Sequence, residues 1–340
     1  MSCKKHIKLL VLLSFLVVTS CHSQEKASTI AADKKATYSA KNIPGKLKTL
    51  SEQGMMIGHQ DDLAYGIGWK YPDGKSDVFK VCGDYPAVFG WDLGGIELSS
   101  PVNLDSVPFA EMKKHAIDAH SKGGINTFSW HLNNPLTGGT SWDISSKEVV
   151  KNILPGGSKN AEFNKWLDRV ADFFSDLKDE KGDPIPVIFR PYHELTGEWF
   201  WWGKPYCSTS EFVQLWTYTF EYLTETKKLH NLIFAFSTAG SFENTTEFAD
   251  RYPGDKYVDL VGFDLYQTEN QSNADFSKTL RDKLSVLFQF ANAHNKPAAI
   301  TELGYERIPD PEWGTKTFYP AVEGFPVAYT LFCRNAANRP

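Results

Sequence analysis

Apolar runs alternate with amphipathic stretches along most of this chain, from residue 55 onward. Near-continuous apolar runs are typical of parallel strands that are buried on both faces. The stretches between them repeat apolar residues at a spacing close to the helical period, which predicts helices with one buried face. The predicted strands are Met55–Gln60, Ala87–Leu93, Ile125–His131, Pro186–His193, Leu232–Ser237, Val258–Asp264, Ala298–Leu303 and Val327–Arg334, and the predicted helices are Phe109–Lys122, Ala161–Glu180, Ser210–Leu229, Phe276–His294 and Thr315–Glu323.

This alternation predicts an α/β fold, a (β/α)8 TIM barrel that occupies residues 43–340. An open doubly wound sheet is the alternative, but no glycine-rich phosphate turn follows the first predicted strand. Only six residues follow the eighth predicted strand, so we expect the barrel to lack most or all of its eighth helix. Residues 30 to 50, with a helical stretch at Pro44–Gln53, are expected to cover part of that flank.

The N-terminal segment, residues 1–20, has the pattern of an export signal. Three lysines precede the apolar stretch Leu9–Val18, which is too short to cross a bilayer as a helix. The sequence Val18-Thr19-Ser20-Cys21 resembles a bacterial lipobox, which predicts a lipid on Cys21 and an exported protein anchored in the cell envelope, on its periplasmic face or at the cell surface. Ordinary signal cleavage nearby is the alternative. Residues 21–42 are small and polar, which predicts a flexible tether.

Charge and cysteine content exclude several classes of function. The chain carries 36 basic and 41 acidic residues, a balance that disfavours nucleic acid as a partner. Cys82, Cys207 and Cys333 lie outside the signal and are widely spaced, without a CxxC motif or a Cys/His cluster. We therefore predict no zinc or other metal site and no cofactor, and we favour three free thiols over one disulfide.

Two glutamates stand where predicted strands end. Glu194 ends the fourth strand and Glu302 lies near the end of the seventh, and the strand ends of one barrel face a common mouth. A pair of carboxyl groups is what a glycoside hydrolase needs, one as acid and one as nucleophile or base. Trp199, Trp201 and Trp202 follow Glu194 closely, which predicts an aromatic wall for sugar rings.

Other side chains near these strand ends are candidates for substrate binding. Arg190 and His193 lie beside Glu194, where a cation and an imidazole set carboxyl pKa values and hydrogen-bond sugar hydroxyls. Trp142, in the segment after the third strand, is a candidate for a further sugar platform.

The segment from His193 to Gly203 resembles the acid/base motif of glycoside hydrolase family 26, whose commonest members are β-1,4-mannanases. The resemblance covers nearly the whole chain after the signal and tether. Its further motifs are Gly58-His59-Gln60, Phe128-Ser129-Trp130-His131 with Asn133-Asn134-Pro135, Val261-Gly262-Phe263-Asp264-x-Tyr266 and Thr301-Glu302-x-Gly304.

The resemblance implies roles for individual residues. It implies that Glu194 is the general acid/base, that Glu302 is the nucleophile and that Tyr266 hydrogen-bonds the nucleophile. Because the family is retaining, it also implies a covalent glycosyl-enzyme intermediate. The side chains that it places against the substrate are His131, His193, Trp199 and Arg334.

The eighth strand departs from the family pattern. The family usually has Trp-Arg-Asn there, with the indole under the sugar at the point of cleavage, and this chain has Cys333-Arg334-Asn335. Losing such a platform weakens sugar binding by on the order of 1–3 kcal/mol. We expect an endo-acting hydrolase of β-1,4-mannan. The alternatives are a mannobiose-releasing exo-enzyme, a family member that acts on xylan or β-glucan, and an inactive or weakly active carbohydrate-binding barrel.

Overall fold

The fold is that of a computed structural model that describes residues 31–335. Eight of the ten strands that it describes match the predicted apolar runs to within a few residues at each end. The strands are β1 (Met56–Gln60), β2 (Tyr65–Gly66), β3 (Trp69–Lys70), β4 (Val88–Asp92), β5 (Ile125–Trp130), β6 (Val187–Pro191), β7 (Leu232–Ala239), β8 (Leu260–Gln267), β9 (Ala298–Tyr305) and β10 (Tyr329–Phe332).

Eight of these strands close into a barrel in the order β1, β10, β9, β8, β7, β6, β5, β4. Every neighbouring pair in the barrel is parallel. The two remaining strands form a small antiparallel hairpin, which the sequence did not predict. The TIM barrel prediction is therefore confirmed, and the carboxyl ends of the eight strands form one mouth.

All the described helices except the first lie on the outside of the barrel, between successive strands. The helices are α1 (Tyr38–Ser51), α2 (Asp77–Cys82), α3 (Phe109–Ser121), α4 (Val149–Ile153), α5 (Asn160–Ser175), α6 (Thr209–Glu221), α7 (Thr245–Phe248), α8 (Asn273–Ala293) and α9 (Tyr319–Val322). A π-helical turn extends α6, and another precedes α9. Outward-facing rings of the strands join this layer: Phe128 of β5, for example, makes edge contacts with Phe173 and Phe174 of α5. No helix follows β10 among the described residues.

The N-terminal end of the barrel is closed by α1. The hydroxyl of Thr37 caps this helix by accepting from the backbone N–H of Ala40. Ala40 and Leu47 are fully buried and join the cluster of small and apolar side chains that fills the barrel interior, including Ala235 of β7 and Ala299 of β9. The helix therefore packs under the strands and not along the open flank, which corrects the expected position of this segment.

The predicted tether also needs correction. It was expected to extend to residue 42, but the chain is already packed at residue 31. Asp33 is buried and its carboxylate lies 2.7 Å from Nδ1 of His230, just before β7. The backbone N–H of Ala32 donates to Asp259, just before β8, at 2.5 Å. These contacts with the loops that precede two strands hold the segment against the N-terminal end of the barrel. The predicted signal and Cys21 lie outside the described residues.

Among the residues that the structure describes, no helix has the length and apolar character that a membrane crossing requires.

Replacing Leu47 by alanine is expected to lower the free energy of unfolding by about 2–4 kcal/mol, because the side chain is fully buried between α1 and the barrel interior. Thr49→Ala, on the exposed face of the same helix, is the matched control and is expected to change it by less than about 0.5 kcal/mol. Urea denaturation followed by circular dichroism measures both values. Equal effects of the two substitutions would contradict this packing.

Candidate active site

Glu194 lies in the loop that follows β6. The backbone at Tyr192 and Glu194 is left-handed, with φ of 53° and 54°, a region that bulky residues occupy at a cost of about 1–2 kcal/mol each. Hydrogen bonds hold this path: the N–H of Glu194 donates to the carbonyl of Ser237 on β7 at 2.9 Å, and the N–H of Gly197 donates to the carbonyl of Glu194 at 2.7 Å. The loop thereby fixes the carboxyl group at the barrel mouth.

The carboxyl group of Glu194 is in an environment that favours its protonated form. Burial raises its pKa to about 8, and the negative charges of Asp264 and Glu302 add to this effect. The indole N–H of Trp199 donates to Oε2 of Glu194 at 2.6 Å, which opposes the shift without reversing it. Glu194 therefore holds a proton at neutral pH, as a general acid must.

Glu302, on β9, is in the opposite situation. Its Oε2 accepts from Arg190 at 2.8 Å and its Oε1 accepts from the hydroxyl of Tyr266 at 2.9 Å. Burial alone would raise the pKa of Glu302, but the charges of Arg190 and His131 and these hydrogen bonds outweigh it, so its pKa is lowered. The carboxylate is therefore ionised at neutral pH, as a nucleophile must be.

Arg190 of β6 is buried and joins two carboxylates on neighbouring strands. Its Nη1 lies 2.6 Å from Oδ2 of Asp264 on β8, and its Nη2 bonds Glu302. Oδ1 of Asp264 accepts from the hydroxyls of Ser237 at 3.0 Å and Thr301 at 2.7 Å. Asp264 therefore holds Arg190 in place, a role that we did not assign to it from the sequence.

Two histidines line the same mouth. Nδ1 of His131 lies 2.7 Å from Asp92, and its Nε2 lies 3.1 Å from Nε2 of His193. Burial lowers the pKa of His131, but the Asp92 carboxylate outweighs burial and the pKa is raised. Burial and the charge of His131 hold the pKa of His193 well below its usual range. His131 is therefore the donor and neutral His193 the acceptor in this pair.

The aromatic residues divide into two groups. Trp199 and Trp142 are 41% and 49% exposed and remain accessible to a ligand, and Trp142 stacks on His131 with ring centroids 5.4 Å apart. Trp201 and Trp202 are fully buried. Their indole N–H groups donate to backbone carbonyls of the neighbouring segments. These two tryptophans pack inside the loop. The predicted aromatic wall of three loop tryptophans is therefore wrong for Trp201 and Trp202, and only Trp199 is exposed to a ligand.

Arg334 lies next to the first strand of the barrel. It forms an ion pair with Asp105 and its Nη1 lies 3.3 Å from the hydroxyl of Tyr65, which donates to Asp61 at 2.8 Å. The pKa of Asp105 is raised mainly by burial and in part by the charge of Glu302. Arg334 and Asp105 therefore form a second polar group near Glu302, and the sequence pointed only to Arg334.

Cys333 contacts the hydroxyl of Tyr266, the residue that donates to Glu302. Burial raises the pKa of the Cys333 thiol to about 11. The thiol is therefore neutral at physiological pH and adds no charge beside the nucleophile.

One cluster among the described residues has spacing that suits a metal ion: single ligand atoms of His193, Asp264 and Glu302 lie within 4.8 Å of one another. Arg190 already donates to both carboxylates of this cluster. A divalent cation there would meet a buried guanidinium at hydrogen-bond distance from its ligands, so these residues do not fit a resident metal.

The chain is similar to known proteins of one family. Residues 32–307 match the family model described as Glycosyl hydrolase family 26. A mannan endo-1,4-beta-mannosidase of Bifidobacterium adolescentis is 36% identical over 281 residues, which are 80% of this chain and 28% of that protein. One of Bacillus subtilis strain 168 is 31% identical over 67% of this chain and 60% of that protein. A solved GH26 beta-mannanase from Bacteroides ovatus is 43% identical, with a TM-score of 0.83, over 86% of this chain and 84% of its own.

The chain spans less than two thirds of the length of either curated relative. The family model nevertheless matches a continuous stretch that contains Glu194, Glu302 and every barrel strand except β10. The resemblance seen in the sequence motifs is thereby confirmed, and this chain belongs to glycosyl hydrolase family 26.

Proposed function

We propose that this chain is a retaining endo-β-1,4-mannanase, with Glu302 as nucleophile and Glu194 as acid and base. The observation that carries the proposal is the opposite direction of two pKa shifts at one barrel mouth. Burial raises the pKa of Glu194 to about 8, whereas Arg190 and Tyr266 help to lower that of Glu302. Two carboxyls in different ionisation states are what the two steps of this hydrolysis require.

In the first step, a carboxylate oxygen of Glu302 attacks the anomeric carbon of the sugar. The bond from that carbon to the glycosidic oxygen breaks, and Glu194 gives its proton to the departing oxygen. Arg190 and Tyr266 hold the attacking carboxylate in position. The product of this step is a glycosyl ester of Glu302 and a shortened chain with a new hydroxyl group.

In the second step, Glu194 is ionised and takes a proton from water. The water oxygen forms a bond to the anomeric carbon, the ester bond to Glu302 breaks, and both carboxyls return to their starting states. Two inversions at one carbon give net retention. Trp142 and Trp199 are exposed at the mouth and are the platforms on which we place sugar rings.

The choice of β-1,4-mannan rests on the relatives. The printed names of the Bifidobacterium and Bacillus proteins give mannan and endo action, and the Bacteroides structure is named a beta-mannanase. A second candidate function is sugar binding with little or no turnover. The neutral thiol of Cys333 beside Tyr266 favours it, because a thiol offers little stacking area for a sugar ring.

We further propose that the protein is exported and anchored in the cell envelope by a lipid on Cys21. The support is the order of basic residues, a short apolar stretch and a lipobox-like sequence that ends at this cysteine. An anchor of this kind would hold the enzyme at the surface where a polysaccharide arrives.

Incubation of the wild type with β-mannan is expected to give oligosaccharides of mixed length at early times, as endo action requires. Glu302→Ala is expected to lower kcat by at least about three orders of magnitude, because no other group can form the ester. Glu198→Ala, an exposed glutamate of the same loop, is the control and is expected to retain activity. Chromatographic sizing of the products is the measurement, with xylan and mixed-linkage β-glucan in parallel.

The outcomes of this digestion separate the alternatives. Disaccharide alone at early times would show exo action, and products from xylan or glucan alone would change the substrate. Measurable mannan binding without products from the wild type would support the binding protein and overturn the hydrolase.

Glu194→Gln is expected to lower kcat/KM on mannan by about 10²–10⁴-fold. It is expected to have much less effect on an aryl β-mannobioside with a good leaving group, because such a group departs without a proton. In the wild type, kcat/KM on mannan is expected to fall as the pH rises through about 8, since only protonated Glu194 can act as the acid. Equal losses on both substrates would refute the acid assignment.

In bacteria, the wild type is expected to incorporate labelled fatty acid and to sediment with membranes. Cys21→Ala is expected to lose the label and to leave the membrane fraction, because the acylated thiol is gone. Cys3→Ala, within the predicted signal, is the control and is expected to behave as the wild type does. If Cys21→Ala kept the label, the lipid would be attached elsewhere.

A further inference from the structure

The loop that carries Glu194 is held from outside by one buried arginine. We call residues 192–207, between β6 and α6, the acid/base loop. Arg251 follows α7 in the segment between β7 and β8, and its side chain is almost fully buried. Every described hydrogen bond of its guanidinium goes to the acid/base loop. The acceptors are the carbonyls of Leu195, Trp202, Lys204 and Cys207 and the sulfur of Cys207.

These contacts lie on both sides of Trp199. On one side is the carbonyl of Leu195, the residue after Glu194, at 3.5 Å from Nη1. On the other side are the carbonyls of Trp202, at 3.0 Å from Nη1, and Lys204, at 2.8 Å from Nη2. One planar group therefore ties together the two halves of the loop.

The acid/base loop carries both partners of the hydrogen bond at the acid. Trp199 donates to Glu194 at 2.6 Å, and this indole helps to bury the carboxyl group. The left-handed backbone at Tyr192 and Glu194 is unfavourable by itself and persists only where surrounding contacts impose it. Contacts that gather the loop are thus needed to keep the acid where it is.

A guanidinium suits this task for physical reasons. It presents its N–H groups in a fixed plane, and its charge strengthens each bond to a carbonyl. Its central carbon lies 5.2 Å from the centre of the Phe212 ring, so the cation also stacks on a residue of α6, the helix that follows the loop. A lysine could place its ammonium group against only some of these carbonyls.

We propose that Arg251 is the positioning residue of the acid/base: it holds the acid/base loop so that Glu194 stays buried against Trp199. It touches neither substrate nor reacting atoms and acts through the loop. The inference rests on the proposed function of Glu194 as general acid.

The chain contains a second arginine that serves as a control. Arg281 of α8 donates through Nη1 to three carbonyls of another turn, those of Pro320, Ala321 and Glu323. Its guanidinium lies 5.2 Å from the ring of Phe325. Arg281 is exposed where Arg251 is buried, and it makes no contact with the acid/base loop. Arg281→Lys therefore controls for exchanging an arginine that bonds carbonyls of a turn elsewhere in the barrel.

The first test compares two substrates with each variant. Arg251→Lys is expected to lower kcat/KM on mannan by about 10–100-fold, a fraction of the full general-acid contribution. On an aryl β-mannobioside with a good leaving group we expect less than about a threefold loss, since that reaction needs little acid help. Arg251→Met is expected to be worse than Arg251→Lys on mannan, and Arg281→Lys is expected to change neither value while lowering Tm.

The second test does not depend on activity. The indole N–H signal of Trp199, assigned by its absence in Trp199→Phe, is followed by NMR as the pH is varied. In the wild type and in Arg281→Lys it is expected to report titration of Glu194 near pH 8. In the Arg251 variants the midpoint is expected to move towards lower pH, because a carboxyl group in a loosened loop is better solvated. Asp264, Glu302 and Arg190, whose charges also act on Glu194, are unchanged in every variant.

The two tests separate failure of the inference from failure of the proposed function. If the wild type does not hydrolyse mannan, the function fails, and the NMR titration still decides the role of Arg251. If the Arg251 variants lose activity equally on both substrates and keep the wild-type titration midpoint, Arg251 is only a structural residue and the inference is overturned.

Discussion

The catalytic mouth depends on one buried guanidinium, that of Arg190. It bonds Asp264 at 2.6 Å and Glu302 at 2.8 Å, and all three groups project from barrel strands. Its charge and hydrogen bond lower the pKa of Glu302, whereas burial, with the nearby charge of Glu302, raises the pKa of Asp264 to about 7. The ionised state of Glu302 therefore follows from strand geometry, which is the most rigid part of this fold. The barrel strands themselves thus keep the Glu302 carboxylate in the ionised form that a nucleophile needs.

Glu194 obtains the opposite property by a different route. No cation bonds its carboxyl group among the described contacts; it accepts from the neutral indole of Trp199, and burial dominates its pKa. It lies on a loop, where position depends on backbone hydrogen bonds and on the clamp formed by Arg251. The proposed reaction gives a chemical reason for this difference, because in it Glu194 changes protonation twice per cycle whereas Glu302 starts each cycle ionised.

The sequence predicted the barrel well because eight continuous apolar runs allow few other arrangements. It also predicted that Glu194 and Glu302 lie at one mouth, since acids at the ends of such runs meet there, and their catalytic roles stay a prediction. It assigned no role to Asp264, because the partner of an inward polar side chain depends on the register between strands that are distant in sequence. It also misplaced α1, since a short helix in a polar segment gives no sign of which end of the barrel it covers.

The tryptophans and Cys333 show a further limit of prediction from sequence: the sequence gives a residue's position along the chain but not what its side chain faces. Trp201 and Trp202 were visible in the sequence, but whether an indole faces a sugar or the loop depends on the path that the backbone takes after the strained residues Tyr192 and Glu194. Cys333 stands where the family usually has tryptophan, and the structure shows which property of the site this difference leaves unchanged. Because its thiol is neutral, with a pKa raised to about 11, it leaves the ionisation of Glu302 to Arg190 and Tyr266. Under the proposed function, a smaller side chain here would reduce the area in contact with a bound sugar and would leave the ionisation of Glu302 unchanged.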